Sequence, residues 1–542
     1  MLKKVYMQPT KKIIASLIGV SLLFIACTKD FQGLNVTPGE PTTTTIPPLT
    51  NGVIKTLFLK GQEQAAIHNE WYYPATQLGG LSGSSGYLIE NGAQDVWNDY
   101  YGALQNLKLI QDMINAYSGD KTEMDNVQAI TYILRAYKTF RVTDQFGDMP
   151  FSEAGRAYTG NTASYRPKYD AQQLIYDSLL TNLAWAAQHI NTNANPTTAA
   201  GKPYVAIGTG DTFFGGKMDQ WLSLCNSLRL RYAIQMVEKD PATATPIIKD
   251  VISNNLPVIT EGNDVGMWPE KMGGWILNDS RFWAFSSHRF ERVSTTVWNL
   301  MADGTTDASI FDPRAWLFAE TNQAGKWAPY KVGSGVVDNA NPYQQNRDAD
   351  VTDKNGSLYS SFNWYLVRDL YYQPELFMTA SEVHFLKAEA YARGLGVGKD
   401  ATQAQAEYIA GIKSSVNFWY NIAHNTNVTN DNWAAVAPAT PTDAQLNTLL
   451  ANPKVAFTAD DAANLKKIYA QEWLSFYREP WLAFNLWRRT GQTPRDGEPA
   501  AYTGFSRLTY PASESVNNTD NYNHQVAAMG GDARTTKVWW MK

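Results

Sequence analysis

Six residues in the middle of the chain, Trp275, Asn278, Asp279, Trp283, Trp327 and Tyr330, combine flat aromatic rings with amide and carboxylate hydrogen-bonders. Trp71, Tyr72, Tyr73 and Tyr87 add rings nearer the N-terminus. A sugar offers an apolar C–H face and a rim of hydroxyls. This mixture of side chains suits it, since a ring stacks on the face while polar groups take the rim. For each ring the alternative is a place in the core, where most aromatic side chains sit. The excess is still informative: 18 Trp, 29 Tyr and 21 Phe make 13% of 542 residues, while only 18% are charged.

Other chemistry is sparse. "NRDADVTDKNGS" sets Asp348, Asp350, Asp353 and Asn355 in one stretch, and closely spaced oxygen ligands suit Ca²⁺. The spacing departs from the EF-hand pattern, so a solvated acidic turn is the competing reading. The 6 histidines are scattered, and no H-E-x-x-H spacing occurs. Glu382 and His384 stand two apart on one helix and so do not share a face. "GLSGSSG" from Gly80 lacks the lysine of a phosphate-binding loop and reads as a flexible surface loop. A glycosidase needs two carboxylates about 5 to 9.5 Å apart; nothing marks such a pair among the 51 acidic residues. The expectation is a binding protein, not an enzyme, with no cofactor apart from that possible Ca²⁺. A net charge of -5 without long basic runs argues against nucleic acid as partner.

The elements that must position these groups are mainly helical. In "AITYILRAYKTFRV" the residues Ile130, Ile133, Leu134 and Tyr137 share one helix face, and Gly147 with Pro150 stops the helix. Arg141 and Asp144 are spaced for an i,i+3 pair. Ile175, Leu179 and Leu183 mark a second amphipathic helix; Trp221, Leu224, Cys225, Leu228 and Tyr232 mark a third. Late in the chain, "ASEVHFLKAEAYARG" is expected to end at Gly394 and "KKIYAQEWLSFYREPWLAFNLWRRTG" to run as one helix to Gly491. Arg488 and Arg489 near that end have structural roles. The fold class is therefore mainly α, with tetratricopeptide-like helix pairs forming a scaffold, although no clean 34-residue period is visible. Between about 263 and 372 the sequence turns rich in Gly, Asn, Asp and aromatics, and reads as a long irregular, loop-rich lobe laid on that scaffold.

The N-terminus supplies the cell biology. Lys3, Lys4, Lys11 and Lys12 precede the apolar run Ile13 to Ala26, which is too short to span a bilayer and has the form of a secretory signal. "LFIAC" resembles a bacterial lipobox, so residues 1–26 are expected to be removed and Cys27 acylated. Cys225, the only other cysteine, is then an unpaired buried residue. Residues 27–51 contain the Pro- and Thr-rich "TPGEPTTTTIPPLTN" and read as a flexible, extended tether, followed by a single domain over 52–542.

Eight stretches in order resemble the SusD/RagB family of nutrient-binding lipoproteins. They are "VWNDYYGALQNLKLI", "LRAYKTFRVTDQFGDMPFSEA", "YRPKYDAQQLIYDSLLTNL", "QWLSLCNSLRLRYA", "DPRAWL", "MTASEVHFLKAEAYARG", "EPWLAFNLWRRTG" and "SRLTYPASESVNNTDNY". The resemblance implies a helical body tethered by lipid to the outer membrane, at the cell surface, capping a SusC-like TonB-dependent transporter and passing it a nutrient, most often an oligosaccharide. A surface glycoside hydrolase, a lipid-anchored interaction scaffold and a peptide-binding member of the same family are the alternatives.

Overall fold

Apolar residues set three and four apart recur along the chain, and helices form where they do. The computed structural model describes residues 44–268, 280–344, 347, 349–368, 374–424 and 437–542. Its principal helices are α1 (Ile46–Lys55), α2 (Ile89–Ala116), α3 (Asp125–Phe146), α4 (Gln172–His189), α5 (Met218–Met236), α6 (Pro241–Ser253), α7 (Ser280–His288), α8 (Ala380–Arg393), α9 (Ala401–His424), α10 (Asp461–Ser475) and α11 (Pro480–Thr490). Sequence neighbours pack together, from α1 on α2 through α5 on α6, and again α8 on α9. That serial pairing is what tetratricopeptide-like scaffolds do, because each helix buries its stripe against the next. Among the described residues, none of the helices is long and apolar enough to cross a membrane.

Local chemistry sets the ends. The Asp460 carboxylate accepts from the N–H groups of Ala462 and Ala463 at the start of α10, and Thr379 accepts from Glu382 at the start of α8. Gly394 and Gly491 close α8 and α11 in left-handed conformation, with φ of 73° and 65°. The long late segment is two helices, not one: α10 ends at Ser475, and α11 begins with Pro480. Proline has no N–H to donate and fits the first turn of a new helix better than the interior of an old one. The tether is also shorter than expected, because α1 starts at Ile46 with Pro47 in its first turn and buries Val53 and Ile54.

Two further expectations are corrected by burial. From Leu224 to Met236, α5 is buried on every side, polar residues included. Three of its polar side chains find partners: Arg231 binds the Glu382 carboxylate at 2.5 Å, Arg229 binds Asp250 at 2.6 Å, and Asn226 donates to the Pro257 carbonyl. Arg141 and Asp144 do not pair with one another. Arg141 reaches Glu63 at 2.7 Å, while Asp144 accepts from Tyr176, Gln235, Asn485 and Trp540. Burial pushes the Asp144 carboxyl up, against the pull of these hydrogen bonds. Arg489 binds Glu389 at 2.7 Å, and Arg488 lies over the rings of Phe484 and Trp540.

Strands are short. Antiparallel pairs join β1 (Gly80–Leu81) to β5 (Glu291–Arg292), β2 (Met149–Pro150) to β3 (Tyr169–Asp170), and β4 (Val265–Met267) to β6 (Glu375–Met378). Between Val265 and Arg368 the described elements are all brief, the longest being α7. This irregular region is attached through the β1–β5 pair and through α7, which lies on the π-helix Glu63–Tyr72.

Candidate functional site

The attachment of α7 is built on charge. His288, at its end, is fully buried and stands between two carboxylates, with Nε2 at 2.9 Å from Glu70 and Nδ1 at 2.6 Å from Glu291. Burial works against its proton, but the two carboxylates outweigh burial and raise its pKa to about 9. Glu70 in turn holds the loop after β1. Its Oε1 accepts from the Ser84 hydroxyl at 3.1 Å, the Ser85 N–H at 2.9 Å and the Ser85 hydroxyl at 2.8 Å. Burial pushes the Glu70 carboxyl up, yet the His288 and Ser85 hydrogen bonds hold it below its ordinary value. The "GLSGSSG" segment is thus pinned rather than free. Its glycines allow this: a Cβ on Gly80 would lie 2.6 Å from the Tyr330 ring, and one on Gly83 would lie 2.5 Å from Phe290.

Two of the expected rings meet here, Tyr87 at the end of the pinned loop and Trp283 from α7. The Tyr87 ring lies 6.4 Å from His288 and nearly parallel to it, and meets the Trp283 ring edge-on at 5.8 Å. Trp283 is 39% exposed, Leu88 beside Tyr87 is 59% exposed, and Tyr87 is half-buried. The loop also borders a cleft of about 400 Å³, lined by Glu70, Ser82, Tyr330, Val336, Val337 and Tyr502 among others. Tyr330 is 2% exposed and donates its hydroxyl to the Val336 carbonyl, so it forms a wall rather than a platform.

The remaining expected residues separate. Tyr72 and Tyr73 are not loop residues: they lie in the π-helix and the turn that follows it, and are 1% exposed. Tyr72 stacks on Phe484 at 4.7 Å, and Tyr73 meets Phe362 edge-on. Neither offers a face to a ligand. Trp71 is half-buried between Tyr502 and Phe505 with the Arg534 guanidinium over it. Trp327 is 7% exposed, donates Nε1 to Asp307 at 2.7 Å and stacks on Trp298. It therefore supports a neighbour, Trp316, which is 37% exposed and which its sequence context did not single out. Trp275, Asn278 and Asp279 lie outside the described residues, as do Cys27 and Asp348. Asp350 accepts from Thr352, and Asp353 accepts from the Asn355 N–H, both closing their own turn. Among the described residues no group of three His, Cys, Asp or Glu side chains is placed to hold a metal ion. Cys225 is buried, with its thiol pushed up to about 12 by desolvation.

A family model for SusD-like proteins, described as starch-binding and associating with the outer membrane, matches residues 38–511. The chain belongs to this SusD-like family. Solved structures agree in fold. A chitin-binding protein superposes with a TM-score of 0.67 at 23% identity, covering 92% of this chain and 100% of its own. A SusD homologue from Parabacteroides distasonis gives 0.67 at 22%, covering 92% of this chain and 98% of its own. A chitin-binding SusD homologue from Flavobacterium johnsoniae gives 0.65 at 20%, covering 91% and 98%. No curated protein matches the chain in sequence. The pinned loop, the Tyr87–Trp283 pair and the cleft are features of a SusD-like helical body.

Proposed function

We propose that this SusD-like protein captures an oligosaccharide at the cell surface and hands it to a SusC-like TonB-dependent transporter, without cleaving it. The observation that carries the reading is the exposed Trp283 ring, set edge-on to Tyr87 on a loop that Glu70 and His288 hold in place. A rigid ring beside hydroxyl and carboxylate groups binds a sugar without first having to be ordered. Binding in place of hydrolysis is supported by the condition of the carboxylate nearest the cleft: Glu70 is engaged by His288, Ser84 and Ser85, which leaves it poorly suited to act as acid or base. The family's association with the outer membrane and two relatives described as chitin-binding support the choice of a glycan over a peptide.

Capture for transfer calls for modest affinity. A Kd between 1 mM and 1 μM corresponds to about -4 to -8 kcal/mol, which two stacked rings and a few hydrogen bonds supply. The test is a glycan panel in which binding and chain shortening are scored together. Binding with every glycan recovered intact is expected. Shortening of any bound glycan would establish the hydrolase instead, and binding of peptides but no glycan would contradict the oligosaccharide reading. Gentle detergent extraction is expected to recover the protein with a TonB-dependent barrel; recovery without one would count against transfer.

A further inference from the structure

The cleft beside the pinned loop has a composition that a plain hexose does not match. Val336 and Val337 at its rim are 46% and 57% exposed, and Leu81, Pro499 and Ala500 continue the same apolar wall. Exposed branched side chains at the mouth of a cleft keep an apolar surface in contact with water, and that surface gains from being covered. The polar groups are few and specific. Ser82 is buried, its hydroxyl directed at the Phe290 and Asp338 carbonyls. Glu70 Oε1 is crowded by His288, Ser84 and Ser85, whereas Oε2 takes only a long 3.4 Å bond from Ser84. The cleft therefore combines an apolar wall with a carboxylate oxygen that has room for a further donor.

We propose that this cleft takes the 2-acetamido group of an N-acetylhexosamine unit, its methyl against Val336 and Val337 and its N–H on Glu70 Oε2. This rests on the reading of the protein as one that captures an oligosaccharide, and it names the sugar class. The alternatives fit less well. A 2-hydroxyl could donate to Glu70 Oε2 but would leave the valines uncovered. An acidic sugar would bring a second negative charge to Glu70. A free amino sugar would satisfy Glu70 but bring no methyl to the wall. The acetamido group carries an apolar end and an N–H donor a few bonds apart, in the combination the cleft presents.

The test compares two β-1,4-linked hexamers that differ only at C2, N-acetylchitohexaose and cellohexaose, by calorimetry on the purified protein. N-acetylchitohexaose is expected to bind at least tenfold more tightly. In the double variant Val336→Ser, Val337→Ser, both at exposed positions, the ratio of the two affinities is expected to fall at least fivefold, with the circular dichroism spectrum retained. Equal affinity for the two hexamers, or binding of maltohexaose to their exclusion, would overturn the acetamido assignment and leave oligosaccharide capture standing. A preference that survives in the double variant would place the acetyl group elsewhere and overturn the assignment of this cleft. Failure of every glycan to bind would remove the underlying reading as well.

Discussion

Glu472 shows what the interior of this body does to a single side chain. It is 3% exposed, its closest cation is Arg489 at 3.9 Å, and desolvation, only partly offset by that charge, raises its pKa from 4.5 to about 8. A raised acid favours folding while it holds its proton, so its contribution is complete below pH 4.5 and is lost as pH rises through about 8. Glu472→Gln keeps the shape and removes the titration. Urea midpoints measured at pH 5, 7 and 9 are expected to show the variant gaining on the native protein as pH rises, by at most about 1.4 kcal/mol per pH unit. A difference that does not change with pH would contradict the assignment. Trp283 is exposed although it stands between Phe282 and Ala284 inside α7. Residue-scale reading of the sequence placed Tyr87 on a loop, after Ser85 and Gly86, and there it lies, half-buried. It failed for Tyr72 and Tyr73, since exposure depends on what packs from elsewhere, and Phe484 and Phe362 are hundreds of residues away. Trp316 was hidden by the same limit: its exposure follows from Trp327 and Trp298 filling the space behind it.

At the scale of elements, two glycines inside helices separate packing from propensity. Gly102 in α2 is exposed, and a Cβ there would meet nothing within 4 Å. Gly411 in α9 lies against α8, where a Cβ would fall 2.8 Å from the Phe385 ring. Alanine is the better helix former by about 1 kcal/mol, so Gly102→Ala is expected to raise the melting temperature. Gly411→Ala must displace a buried ring, and overpacking of this kind costs roughly 1 to 3 kcal/mol; its melting temperature is expected to fall. A rise for Gly411→Ala as well would show that the α8–α9 contact is looser than described. Helix positions were legible because a 3.6-residue period is a local signal. The break before Pro480 and the early start of α1 at Ile46 were not, because both depend on which segments find a surface to pack on. The burial of the polar side of α5 was illegible for a further reason. Arg231 is acceptable inside only because Glu382, from a distant helix, is there to meet it.

The molecule as a whole is a helical scaffold carrying an irregular region, joined where Glu70, His288 and Glu291 meet. Family membership follows from an ordered series of motifs along nearly the whole chain, which a sequence displays well. The proposed ligand cleft does not, because its walls combine residues 70–84 with stretches around Val336 and Tyr502 that are far away in the chain. The proposed lipid on Cys27 has its own check: Cys27→Ser is expected to abolish fatty-acid labelling and move the protein out of the membrane fraction, and unchanged labelling would refute acylation there. Capture at the pinned loop is the central claim, and calorimetric titration of Trp283→Ala and Tyr87→Ala with the best-bound oligosaccharide of the panel tests it most directly. Losing one stacked ring costs about 0.5 to 1.5 kcal/mol, so each variant is expected to keep its circular dichroism spectrum and bind roughly two- to thirteenfold more weakly. Two folded variants that bind as tightly as the native protein would place the site elsewhere.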